Sequence, residues 1–549
     1  MLSTLDFTLI IGYLVGITLL GLWVGRRSTE SSEGYFLAGR GLGWVSIGLA
    51  LFATNISTTQ IIAAASGAYS GQIGDPGNFE CLAPFCLILL GLVFAPFYFT
   101  SKVATLPEFL EKRFSPASRT ILAVMAIFGA LFIHIGFSLY AGAAVVNSLI
   151  PSLSIPNAIF IVSAATVIYT VFGGLKGVVV TESVQTVLLL FGSLAVLVFG
   201  LMALNDQGIN SLAEVRAAAR TPEQMSMIRS DGDFSWYAML LGYPVLGIWY
   251  WCSDQTIVQR VLGARSQKDA QNGAILCGML KLLPLFLMVI PGVFAYILFK
   301  DKIGADANAA LPTMILNLLP EGLRGLVIAG LLAALMSTVA GALNSVGTLV
   351  SVDLVQRLRP QTKDQTLVRI GQWTAALGML VAIAWSMQGG KFENIFKGIN
   401  SMIAVIAPPI TAVFLWGVLW KRGTAKAALA TFIIGYACAG FVFFTDIPAV
   451  SGLVMGTQMI DGKEVAIQLV SGKWGIGFMM QAWWLFVICS VVFFAVSLAT
   501  PAPAKEVTDK YCWDKPWSAL LGPFQGALDP RLLSAILFVV TCAIYWVFR

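Results

Sequence analysis

ATNISTTQIIAAASGAYSG, residues 53–71, lies inside an apolar run long enough to cross a bilayer, yet Asn55, Ser57, Thr58, Thr59 and Gln60 crowd its middle. In hydrocarbon every backbone polar group must be paired, so non-helical backbone persists only where it is buried in protein or lines a cavity. A polar cluster flanked by small residues suits a helix that breaks at mid-membrane and frees carbonyls and amides as ligands. Ser, Thr and Asn also bond neighbouring helices in membrane bundles. Five such groups in six positions exceed what helix–helix bonding needs, and the stretch reads as a binding site.

The rest of the chain agrees with a membrane setting. Its 549 residues are 58% hydrophobic and only 11% charged, with a mean hydropathy of +0.83; soluble domains carry about a quarter charged residues. The fold class expected is an all-α polytopic membrane protein. Apolar runs place fourteen spans at about 7–24, 43–70, 80–100, 118–149, 155–174, 177–204, 235–258, 272–299, 322–353, 368–387, 394–420, 424–445, 477–499 and 531–548. The first run has no basic residue before it and Arg26-Arg27 after it, the reverse of a secretory signal. It reads as an uncleaved span with its amino end outside. Alternating sides from there puts 22 of the 34 Lys and Arg on the cytoplasmic side and 11 outside, with Lys281 left within a span. Both termini are then expected outside, in a plasma (inner) membrane protein whose surroundings are the lipid bilayer.

The loops add little chemistry. SLAEVRAAAR, in the outer loop 205–234, has the pattern of a short amphipathic helix. QMIDGKEVAI, within 446–476, places Asp461-Gly462 between short apolar strings, as in a hairpin. The eight cysteines show neither metal-site nor disulfide spacing and read as small core residues. No nucleophile–base pair is apparent, so the chain does not read as an enzyme, and no nucleic-acid partner or cofactor is expected.

Two further stretches bear on function. LLGYPVLGIWYWCSDQTIVQR, residues 240–260, combines Gly242, Pro244 and Gly247 with Trp249-Tyr250-Trp251 and then Asp254. The proline removes a donor and the glycines permit a break in the helix. This is the seventh span, five after the second. Interrupted helices at corresponding places in two halves point to an inverted-repeat transporter with a midplane site. In AGLLAALMSTVAGALNS, residues 329–345, Ser337 and Thr338 are adjacent hydroxyls among small residues. They suit a hard cation that wants several oxygens, sodium rather than a transition metal; equally, they suit hydroxyls bonding back to the carbonyl four residues earlier.

At these residues the chain resembles the solute:sodium symporter family, in its sodium/glucose cotransporter branch. The resemblance runs from about Tyr13 to Lys426. It rests on GYFLAGR at 34–40, ATNIS…Q at 53–60, FE at 79–80, TLPEFLEKRF at 105–114, FGGLKGVVVTESVQ at 172–185, WYWCSDQTIVQR at 249–260, Lys281, AALMSTVAGALNS at 333–345 and APPITAVFLWGVLWKR at 407–422. It implies a leucine-transporter-type core of ten helices in two inverted repeats of five. The segments are then 1–42 (an extra helix and cytoplasmic loop), 43–204 (first repeat), 205–234 (outer loop), 235–423 (second repeat) and 424–549 (three further helices). It also implies a sodium site of Ala53, Ile56 and Ala334 carbonyls with Ser337 and Thr338 hydroxyls. Glu182 stands where the family usually has Asp, near the ion's exit or a second sodium site; a carboxylate near a helix start is the structural alternative. The implied sugar site is Asn55, Gln60, Glu80, Lys281 and Asn400, with Tyr250 as aromatic inner gate and Trp251 beside it.

Residues and resemblance agree on a neutral, hydroxyl-rimmed guest held by amides, ionised groups and an aromatic plane. Cys81, Ala83, Gly247 and Asn400 depart from the branch pattern toward a roomier cavity, which widens the guest to other monosaccharides or a cyclic polyol. His134, the single histidine, reads as a satisfied interior group. The expected activity is sodium-coupled symport of such a solute by alternating access. The competing readings are a sodium symporter for a carboxylate or amino acid, and a sugar-sensing channel on the same fold.

Overall fold

A computed structural model describes the chain except residues 1, 27–29, 392–394, 449–455, 461–462, 514–519, 522 and 525. The long helices are α1 (Thr4–Gly25), α2 (Trp44–Asn55), α3 (Thr58–Ser70), α4 (Gly74–Phe99), α5 (Pro116–Leu149), α6 (Ile155–Asp206), α7 (Trp236–Ile248) and α8 (Gln255–Leu262). They continue as α9 (Gln267–Ile303), α10 (Leu323–Gln356), α11 (Asp364–Ser386), α12 (Ile395–Leu419), α13 (Ala425–Asp446), α14 (Phe478–Ala499) and α15 (Pro530–Val547). Among the described residues, eleven of these are long and apolar enough to cross a membrane, and twelve if α2 and α3 are taken as one bent span.

That number differs from fourteen for physical reasons that can be located. α6 runs through two expected spans, 155–174 and 177–204. Its 52 residues would extend about 78 Å if straight, against a hydrocarbon core of about 30 Å. The chain instead turns at Gly174, with φ 57° and ψ −168°, a conformation that a residue with a Cβ resists. The expected seventh span is divided between α7 and α8, each too short to span alone. Its break also lies further along than Gly242, Pro244 and Gly247 suggest. Pro244 sits within the helix, a π-helical turn occupies Trp249–Ser253, and the backbone becomes extended at Asp254 (φ −85°, ψ 124°). The two glycines serve packing: a Cβ on Gly242 would come within 2.3 Å of the Met479 carbonyl, and one on Gly247 within 2.6 Å of Cys86 Sγ.

Helix α10 is the central post. Of its most apolar window 94% is buried, against 17% for α1, which faces outward with Ile11, Val15, Leu19 and Trp23 exposed. Ser3 and Asp6 cap α1 reciprocally, and Asp6 Oδ1 also accepts from the Gly322 and Gly325 amides at 2.8 Å. One carboxylate thereby pairs orphan N–H groups at the start of both helices.

Outside the helical body, the expected amphipathic helix is present at Leu212–Ala218, with a capping box between Ser211 and Glu214. The Asn210 and Ser211 amides hold the Glu214 carboxyl below its ordinary range. Strands β1 (Thr457–Ile460) and β2 (Lys463–Ala466) pair antiparallel with Ile460 opposite Lys463. The two-residue connection, Asp461-Gly462, lies outside the described residues.

Candidate cation and solute site

Helices α2 and α3 meet at 64°. Between them Ile56 and Ser57 are extended (ψ 104° and 160°), and the Ser57 hydroxyl accepts from the Gln60 amide at 3.3 Å, capping α3. The polar stretch therefore does interrupt the helix, as its composition requires. On the other side of the break, the Ser337 hydroxyl donates to the Ala53 carbonyl at 2.7 Å and to Ala334 at 3.0 Å. Thr338 donates to Thr54 at 3.0 Å and to Ala334 at 3.2 Å. Of the two sequence alternatives for this pair the back-bond along α10 is present, and each hydroxyl also reaches across to the broken helix. Five neutral oxygens, three carbonyl and two hydroxyl, so converge in a water-poor interior, a donor set suited to a hard monovalent cation. Ile56 is fully buried beside them.

Glu182 lies under this group but is engaged otherwise. Both its oxygens accept from Arg260, and Oε1 also accepts from the Thr54 hydroxyl at 2.8 Å. Glu182 and Arg260 are both fully buried. An ion pair so placed leaves neither partner tolerant of losing the other.

The expected sugar ligands gather on the opposite side of the break. Lys281 Nζ donates to Asn55 Oδ1 at 2.6 Å and to Glu80, and Gln60 Nε2 donates to the other Glu80 oxygen. Lys281 and Glu80 are 1% and 2% exposed, so each charge depends on its neighbour. The ammonium also lies 5.8 Å from the Trp251 ring centroid. Tyr250 packs edge-on to Trp251 at 5.0 Å. Asn55, Gln60, Lys281, Tyr250, Trp251 and Asn400 all line one cavity of about 140 Å³, and Glu80 stands directly behind Lys281 and Gln60. Thr338 lines it too, which makes cation and solute positions adjacent. At Thr59 this cavity abuts a larger one of about 840 Å³ bounded in part by Ser66, Ser70 and Asp306.

Sequence reasoning gave no individual role to several residues of the cavity wall, among them Ser57, Thr59, Ser138, Tyr243 and His134. Ser57 and Thr59 belong to the opening stretch itself. His134 lies in the π-helical segment Gly129–Phe137 of α5, where Nε2 is 2.7 Å from Asp254 Oδ2 and the ring stacks on Trp249. No periodicity reports a π-helical turn, so the side His134 presents was not readable.

Known proteins place this architecture. The profile of the Sodium:solute symporter family matches residues 35–435. Sodium/glucose cotransporter 1 of Ovis aries is 32% identical over 545 residues, covering 92% of this chain and 80% of that protein. Sodium/myo-inositol cotransporter 2 of Homo sapiens is 34% identical over 463 residues, covering 78% and 68%. In fold, the chain matches a solved sodium-coupled sialic acid symporter, in a substrate-bound outward-open state, with a TM-score of 0.76 at 19% identity over 92% of this chain and 99% of that one. The class defined is a multi-pass membrane carrier that moves a solute with sodium as coupling ion, and not an enzyme. The chain belongs to the sodium:solute symporter family.

Proposed function

We propose that the chain is a sodium-coupled symporter of a neutral monosaccharide or cyclic polyol, working by alternating access. The observation that carries this reading is the composition of the cavity. One carboxylate and one ammonium neutralise each other beside two amides and an aromatic wall. A net-neutral polar rim with a ring-shaped apolar face suits a polyhydroxylated solute better than a carboxylate, which needs an unshared positive charge. The similarity to glucose and myo-inositol cotransporters supports the same class.

Sodium is held, in this reading, by Ala53, Ile56, Ala334, Ser337 and Thr338, and it draws α10 onto the broken helix. Solute contacts come from Asn55, Gln60, Glu80, Lys281 and Asn400, with Tyr250 and Trp251 as the aromatic floor. Because Thr338 borders both positions, ion binding orders the solute cavity, and a ligand favouring one state shifts the population toward it. Glu182 acts by holding Arg260 and Thr54 rather than by binding the ion. The reading extends to fourteen spans in a five-plus-five inverted repeat, with both termini outside a plasma membrane; the distribution of Lys and Arg supports that orientation.

Equilibrium binding tests the proposal. Binding of labelled D-glucose, D-galactose and myo-inositol to purified protein is measured with sodium and with choline in its place. Sodium-dependent binding of at least one is expected. Sodium-dependent binding of a carboxylate or amino acid, with none of these three bound, overturns the solute class.

A further inference from the structure

We propose that Tyr545, on the last helix, is a positioning residue for the transported solute, acting through Asn78 on the turn of α4 that carries Glu80. The proposal rests on the reading that Glu80 and Lys281 contact the solute. Helix α15 lies beyond residues 35–435, which the family profile matches. One of its faces is exposed, at Val539 and Trp546. The other touches the two helices whose buried charges meet in the cavity. Phe538 packs edge-on to Phe85 of α4 at 5.6 Å. Leu537 fits against Gly278 of α9, where a Cβ would come within 2.6 Å of Leu537 Cδ2, three residues before Lys281.

The grip on α4 is a set of three hydrogen bonds that starts and ends on α15. The Tyr545 hydroxyl donates to Asn78 Oδ1 at 2.7 Å, and Asn78 Nδ2 donates to the Met227 carbonyl at 2.9 Å. The Met227 amide then donates to the Phe548 carbonyl at 2.6 Å. A carbonyl only accepts, so the Met227 bond fixes which end of the Asn78 amide faces Tyr545 and makes the hydroxyl the donor. Side chains two positions apart on a helix point about 200° apart. Tyr545 therefore holds the back of the turn whose front presents Glu80. Glu80 accepts from both Gln60 and Lys281, so a shift of this turn displaces three solute ligands together. Neither Asn78 nor Tyr545 is among the described residues lining the cavity, so an effect on the solute reaches it through Glu80.

Tyr545→Phe keeps the ring and removes only the hydroxyl. The full-length protein is reconstituted in proteoliposomes with an inward sodium gradient, and the solute is whichever of D-glucose, D-galactose and myo-inositol accumulates. In Tyr545→Phe the solute KM at saturating sodium is expected to rise about fivefold, the worth of one hydrogen bond. The maximal rate per folded protein, and the sodium half-saturation at saturating solute, stay within about twofold of wild type. Asn78→Ala raises the KM at least as far, and adding Tyr545→Phe to it changes nothing more. Val539→Ala, on the exposed face, behaves as wild type. An unchanged KM in Tyr545→Phe, with or without a lower maximal rate, overturns the proposal and leaves the solute class standing. So do effects of Tyr545→Phe and Asn78→Ala that multiply in the double variant. Accumulation of none of the three solutes overturns both.

Discussion

The Ser337 hydroxyl donates to the Ala53 carbonyl at 2.7 Å, joining α10 to the end of a helix 284 residues earlier in the chain. A carbonyl freed by a helix break is an orphan acceptor, and here it is satisfied from across the interface. A hydroxyl proton can rotate away, so the same two oxygens are available together to a cation. Ser337→Ala and Thr338→Ala are each expected to raise the sodium concentration for half-maximal uptake about tenfold or more, with uptake recovering at high sodium. Titration of sodium at fixed solute reads this directly. An unchanged half-saturation in both variants removes the ion assignment.

Glu80 and Lys281 depend on each other because both are buried. Breaking a buried ion pair from one side costs about 3–5 kcal/mol, whereas replacing both partners with apolar groups is often tolerated. Lys281→Met alone is therefore expected to lower the thermal melting point more than Lys281→Met combined with Glu80→Leu, while both variants lose solute binding. Melting in detergent, followed by tryptophan fluorescence, ranks them. Additive losses in the double variant contradict the pairing.

Glu182→Gln distinguishes a structural carboxylate from an ion ligand. Its oxygens are taken by Arg260 and Thr54. Removing the charge is expected to destabilise the protein by about 3 kcal/mol through a stranded Arg260. Sodium half-saturation should move less than in Ser337→Ala. A sodium shift larger than that of Ser337→Ala means that the carboxylate binds the ion.

Close helix approach sets a further expectation. A Cβ on Gly292 would lie 2.1 Å from the Ala65 carbonyl, where α9 crosses α3, whereas a Cβ on Gly12 meets nothing within 4 Å. Gly292→Ala should sharply reduce the folded yield by size-exclusion chromatography, and Gly12→Ala should behave as wild type. Equal yields contradict the packing described.

Much of this architecture is legible in the chain because hydrocarbon leaves few options. The break at Ile56-Ser57 follows from polar side chains where water is absent, and its partner on α10 from paired hydroxyls among small residues. The second interruption is only half legible. Pro244 advertises a break, yet the helix tolerates it, and the extended residue is Asp254, seen only once its side chain caps α8. The kink at Gly174 falls on the last residue of one expected span, so the sequence comes within a few residues of the turn but does not show the continuity of α6. His134 escapes detection because its orientation depends on a π-helical turn and on Asp254, 120 positions away.

One charge crossing the membrane field supplies about 2.3 kcal/mol per 100 mV, enough for about fiftyfold solute accumulation if coupling is tight. The decisive measurement is uptake of labelled D-glucose, D-galactose and myo-inositol into proteoliposomes, with and without an inward sodium gradient and an inside-negative potential. At least one solute should accumulate above its external concentration only when sodium is present, and collapse on addition of a sodium ionophore. Uptake that merely equilibrates and is indifferent to sodium would contradict coupled transport at this site.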